Sequence, residues 1–134
     1  MGLDWIICYF EDGEVKSSYI FRGKWTAYFL YTLQEHKIID VNIADDCYGQ
    51  EEYTIKIKES NGDIKEITED WVIEDSVRQN IIMVLQSITD NDIKKLEEND
   101  SVWNENNIRE CINKSCEYLK QIDTIENSWI YCWW

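Results

Sequence analysis

The sequence predicts a single α+β domain spanning residues 1–134, with a mainly antiparallel sheet of about five or six strands packed with three or four helices. Three observations predict it. Short β-prone runs bounded by turn residues fill the first half, apolar residues at three- and four-residue steps fill most of the second, and no linker, repeat or low-complexity tract divides them. The chain is 44% hydrophobic with a net charge of −14, the profile of a folded acidic protein, because disorder needs low hydrophobicity together with high charge. A chain of this length buries roughly two thirds of its unfolded surface, so no disulfide or metal is needed to account for a core.

Leu3 to Phe10 and Val15 to Phe21 are apolar β-prone runs separated by Glu11-Asp12-Gly13-Glu14, which reads as a hairpin with Gly13 supplying a positive φ. After Arg22-Gly23, the spacing of Trp25, Tyr28, Phe29, Leu33 and His36 predicts a helix with one buried stripe. Ile38 to Ala44 then reads as a third strand. Tyr53, Ile55 and Ile57 alternate with Thr54, Lys56 and Lys58, predicting a half-buried strand over 52–59. A loop Ser60-Asn61-Gly62 with Gly62 in the left-handed region sets Ile55 opposite Ile67 and Lys56 opposite Glu66, whereas a two-residue turn would oppose Ile57 to Glu66. The three-residue loop keeps apolar residues on one face, pairs opposite charges on the other, and is preferred.

Beyond Trp71 the period becomes helical. Val77, Ile81, Val84, Leu85 and Ile88 form one stripe, with Asp75 or Ser76 as N-cap. Thr89 to Asp92 caps a short helix running to about Glu98, and its early acids complement the helix dipole. Ile108, Ile112, Ser115, Leu119 and Ile122 repeat along a further helix, supported by Glu105–Arg109 and Glu110–Lys114 at four-residue spacing. The charge-free aromatic tail Trp129 to Trp134 reads either as a last strand closing the core or as an exposed strip for a partner.

Catalytic and metal chemistry find little support. His36 is the one histidine and has no Ser, Cys or Asp motif beside it, and no G-x-S-x-G or glycine-rich phosphate loop occurs. The five cysteines contain no C-x-x-C pair, which suits reduced thiols in a cytoplasm. Cys111 and Cys116 lie about 140° apart on a helix and read as core residues, whereas Cys47 is expected exposed in its loop. A calcium loop starting at Asp90 has Lys95 where glycine is required. No cofactor or metal is expected, and the amino-terminal apolar run is too short for a signal peptide or membrane span.

Charge is the more specific signal. Residues 41–75 hold eleven acids against three lysines, more than half of the chain's excess. A surface of this sign repels a phosphate backbone and attracts a basic protein. Carboxylates on alternate strand residues lie about 6.6 Å apart, a row that could occupy a groove built for phosphates. The expected role is therefore an acidic, non-enzymatic inhibitor that occupies the basic surface of a nucleic-acid-acting protein, of the anti-CRISPR or toxin-immunity type. The expected partner-binding residues are Asp45, Asp46, Glu51, Glu52, Glu69, Asp70, Glu74 and Asp75, with Trp71 or Trp103 as anchor and Trp103 the more exposed. A small-molecule-binding or enzymatic domain with an aromatic-lined pocket is the alternative, and a subunit of a larger assembly joined through the tail is a third reading.

Overall fold

The computed structural model describes residues 2–134 and shows an α+β fold of six strands and four helices. A hairpin of β1 (Asp4–Glu11) and β2 (Glu14–Arg22) turns at Asp12 and Gly13, both with positive φ, as a two-residue turn matched to strand twist requires. Helix α1 (Lys24–Glu35) follows Gly23, where a Cβ would stand 2.6 Å from the Trp5 ring. Next come a 3₁₀ helix (Ala44–Tyr48), strands β3 (Tyr53–Lys58), β4 (Ile64–Glu69) and β5 (Val72–Ile73), and helices α2 (Asp75–Ser87), α3 (Asp90–Asn99) and α4 (Glu105–Lys120). A 3₁₀ turn (Gln121–Thr124) leads into β6 (Ser128–Trp133).

The aromatic tail is a central strand. The four-stranded antiparallel sheet has the order β2-β1-β6-β5, so β6 lies between the amino-terminal hairpin and β5. Alternation sends Ile130 and Cys132 into the main core, formed with Trp5, Ile7, Leu30, Leu33, Ile81, Leu85 and Leu119 beneath the helices, while Trp129 faces the opposite side. On that side the β3–β4 hairpin lies across the sheet, and Ile55 and Ile57 close a second core over Cys8, Phe10, Val72 and Trp129. Trp129, Ile130 and Cys132 of the tail thus close the two cores, while Trp133 and Trp134 at its end are exposed.

The β3–β4 hairpin pairs Ile55 with Ile67 and Lys56 with Glu66, the register preferred on facing grounds, with Gly62 at φ +92°. Its ladder continues in the same register past a bend, where Gln50 and Val72 exchange amide-to-carbonyl bonds of 2.7 and 3.0 Å. Glu52 and Trp71, at φ +55° and +59°, sit in that bend. Left-handed backbone is costly for such side chains, and here it folds one ribbon from the edge of the sheet back over its face. Asn127 holds the far end, its amide accepting from the Lys58 N–H and donating to the Lys58 carbonyl, both at 3.0 Å.

Several elements differ from the sequence-based expectation. Ile38 to Ala44 is not a strand, because its backbone partners lie on α1: the Ile38 amide reaches the Leu33 carbonyl at 2.9 Å, and Gln34 Oε1 accepts from the amides of Ile43 and Ala44. In α1 the buried residues are Thr26, Ala27, Phe29, Leu30, Thr32 and Leu33, with Tyr28 and His36 outside them. Glu74, not Asp75 or Ser76, is the N-cap of α2, and its side chain makes no capping bond. Thr89 does cap α3 and forms a capping box with Asp92. Glu110 pairs with Lys114 at 2.9 Å, but Arg109 turns from Glu105 to Asp90 and the Ile88 carbonyl, joining α4 to the start of α3.

Two measurements check this architecture. Deleting Ile130–Trp134 is expected to abolish cooperative unfolding followed by circular dichroism, because it removes most of a central strand. Asn127→Ala is expected to cost about 1–2 kcal/mol in denaturant unfolding and to speed amide exchange in β3 and β4 selectively. Uniform exchange across both sheets would contradict a clamp at that position.

Candidate partner-binding surface

The bent ribbon gathers the acidic doublets. Asp45 and Asp46 lie on the 3₁₀ helix, Glu51 and Glu52 on one limb of the bend, Glu69 and Asp70 on the other, and Glu74 and Asp75 where β5 enters α2. Tyr53 opposite Glu69 and Gln50 opposite Val72 bring the two limbs side by side. Asp45, Asp46 and Glu74 share the rim of a cavity of about 230 Å³ with Val72 and Val77 in its wall. Tyr53 links the groups, since its phenol is pushed above its ordinary range by burial and then by the charges of Glu74 and Asp75. Asp45, Asp46 and Glu74 thus share one cavity, Glu51, Glu52 and Asp70 sit at the bend, and Glu69 turns toward Cys8 beneath the ribbon, while Glu97 and Glu98 lie elsewhere on α3.

Little cation offsets them. Among the described residues, Asp75 alone of the eight forms an ion pair, at 3.4 Å to Arg78. Partial burial, then the neighbouring Asp45 charge, raises the Asp46 pKa. A carboxyl raised in the folded state costs stability once ionised, and a cation brought to it recovers that cost. Among the described residues, no three His, Cys, Asp or Glu side chains are grouped to hold a metal ion.

Gly49 fixes the approach of the 3₁₀ helix to the bend. Its φ is +82°, and a Cβ there would stand 2.6 Å from the Trp71 carbonyl oxygen. Trp71 is half-buried, and its ring meets Trp134 edge-on at 5.1 Å, with Tyr48 at 5.9 Å from Trp134. An aromatic trio thus stands among the acids.

Trp103 does not belong to this surface. It is 7% exposed and packs on Trp25, Tyr28 and Phe29 despite its polar sequence neighbours. The exposed aromatic residues beside the acids are instead Trp134 and Tyr48, one in the charge-free tail and the other directly after the Asp45–Cys47 loop. Cys47 is also buried, contrary to expectation, with its carbonyl accepting from the Trp5 indole at 2.9 Å. Burial, reinforced by Asp46 and Asp45, pushes its thiol up to about 12. Cys116 is a core residue as expected, whereas Cys111 is half-buried.

Arg78 escapes sequence reading altogether. It is 2% exposed, forks onto Asp123 at 2.8 and 3.3 Å, and donates to the Leu119 carbonyl, locking α2 to the end of α4. Its signal is its place on the observed buried stripe of Arg78, Ile81, Ile82 and Leu85. Other large aromatics stack on one another, Phe21 lying 5.8 Å from Trp5 and 4.9 Å from Tyr118.

No family model, curated protein or solved structure matches the chain. Among the described residues, no helix is long and apolar enough to cross a membrane.

Thiol accessibility checks the buried side of this surface. At pH 8 the native protein is expected to leave Cys47 and Cys132 unmodified by a maleimide, with both labelled after unfolding in urea. Peptide mapping that finds native Cys47 labelled as fast as unfolded Cys47 would place the 3₁₀ helix wrongly.

Proposed function

We propose that this protein is an acidic inhibitor that binds the basic surface of a nucleic-acid-acting protein and blocks it sterically, in the manner of anti-CRISPR or toxin-immunity proteins. One observation supports the reading: the acidic doublets lie on or beside the bent ribbon, three of their carboxylates share one cavity, and seven of the eight have no cationic side chain within ion-pairing distance among the described residues. Such a surface offers a phosphate-binding groove the sign it is built for. Association driven this way gains perhaps 10- to 1,000-fold in rate at low salt, which serves an inhibitor that competes with nucleic acid for its target.

Roles follow from position. Asp45, Asp46, Glu51, Glu52, Glu69, Asp70, Glu74 and Asp75 supply the field, while Trp71, Trp134 and Tyr48 supply apolar area beside it. No step of this mechanism needs catalysis, a cofactor or a metal. The cytoplasm is the proposed compartment, and the five unpaired thiols are compatible with it.

The test is affinity capture from host lysate at low and high salt, followed by titration of the captured protein against a variant. The expected result is a stoichiometric basic nuclease or nucleic-acid-binding protein whose affinity falls about tenfold or more as salt rises. Reversing Asp45, Asp46, Glu51 and Glu52 together to Lys should weaken that binding by a similar factor and leave thermal unfolding intact. Unchanged affinity in the reversed variant removes this surface from the mechanism.

A further inference from the structure

The outer face of the four-stranded sheet is only half covered. The β3–β4 ribbon lies over Cys8, Phe10, Trp129 and Val72 and stops there. On the other half, Ile6 stands opposite Ile20 on one side and Tyr131 on the other, so the three share the face. Trp133 follows Tyr131 by alternation. Ile20 is 58% and Trp133 61% exposed, while Ile6 and Tyr131 between them are half-buried, so the described chain leaves this row only partly covered. Apolar side chains gathered in this way mark an interaction surface.

The open half-face and the acidic bend are continuous. The Trp71 carbonyl accepts from the Cys132 amide at 2.8 Å, which brings the Asp70–Trp71 bend to the end of β6. Trp134, stacked edge-on against Trp71, bridges the two regions. At the opposite rim Arg22 is engaged by Asp4 at 3.9 Å.

We propose that Ile6, Ile20, Tyr131 and Trp133 form the apolar centre of a docking surface whose acidic rim is the ribbon bend, and that its occupant is a basic protein presenting Arg or Lys around an apolar side chain. The proposal rests on the function proposed above and names the chemistry of its partner. Charge selects the occupant. A second copy of this chain would set one acidic rim against another, each on a protein of net charge −14, whereas a basic partner neutralises the rim as its apolar residue enters the centre. An Arg guanidinium can also stack on the exposed ring of Trp134 while its charge meets the nearby carboxylates.

Two helical peptides of equal length and charge test this, one with Arg on one face and Leu on the other, the second with Ser in place of Leu. The Arg/Leu peptide is expected to bind about tenfold or more tightly than the Arg/Ser peptide in titrations at low salt. Combining Ile20→Thr with Trp133→Thr should erase that difference and leave Arg/Ser binding unchanged. Threonine suits a strand, and thermal unfolding checks that the variant folds, with Ile20→Thr alone as the second variant if the end of β6 frays. Equal affinities in the unaltered protein, or a preference that survives the substitutions, overturn the apolar centre and leave the acidic rim standing. If neither peptide binds, both the centre and the acidic reading fall. A dimer that forms at high salt in sedimentation and is lost in the double variant assigns the half-face to a second copy and overturns the basic occupant.

Discussion

The structure depends on the pairing of its last strand. β6 engages β1 from Tyr9–Ser128 to Asp4–Trp133 and β5 at Val72–Tyr131 and Ile73–Ile130, so the main sheet has no continuity without it. A two-stranded hairpin is at best marginal in water, which leaves β1–β2 and the short β5 unable to persist alone. β6 also separates the two cores, sending Ile130 and Cys132 to the helices and Trp129 to the ribbon. This pairing joins the two ends of the chain, a non-local contact of the kind that slows folding, while loop-closure entropy grows only slowly with the residues between them.

Side-chain hydrogen bonds reinforce the same strand arrangement from the helical side. The Tyr118 hydroxyl lies 2.7 Å from the carbonyl oxygens of both Trp5 and Tyr19, where the β1–β2 register shifts. Burial pushes the Tyr118 phenol well above its ordinary range, so it remains a neutral donor throughout the working pH range. Arg78 does the corresponding work between α2 and α4. A buried guanidinium is costly to desolvate, and its fork onto Asp123 with a further bond to Leu119 is what makes the burial tolerable.

Local pattern made much of this fold legible. The β1–β2 turn, the β3–β4 register and the α3 cap follow from short-range facing and turn chemistry, and each is present. The misread segments are those in which a distant partner decides. Ile38 to Ala44 has strand composition, yet Leu33 and Gln34 of α1 take its amides. Trp103 and Cys47 have polar neighbours in sequence, but Trp25, Tyr28 and Phe29 cover the one, and the core beneath Trp5 takes the other. The acidic doublets were visible as composition, but the meeting of Asp45, Asp46 and Glu74 at one cavity was not, because it depends on a bend made by two left-handed residues that are neither glycine nor asparagine.

That bend links the fold to the proposed function. Glu52 and Trp71 adopt backbone conformations costing about 1–2 kcal/mol each, and the bend places like charges side by side with little compensation. A protein selected for stability alone would put Gly or Asn at those positions and scatter lysines among the acids. Under the proposed function, the charge left uncompensated on and beside the bend would be offset by a cationic surface laid against it. In the proposed complex, ion pairing would lower the raised Asp46 pKa, and Trp134 and Tyr48 would pack beside a neutralised rim. The proposed function accounts for carboxylates left without cations beside the bend, since a basic partner would supply them.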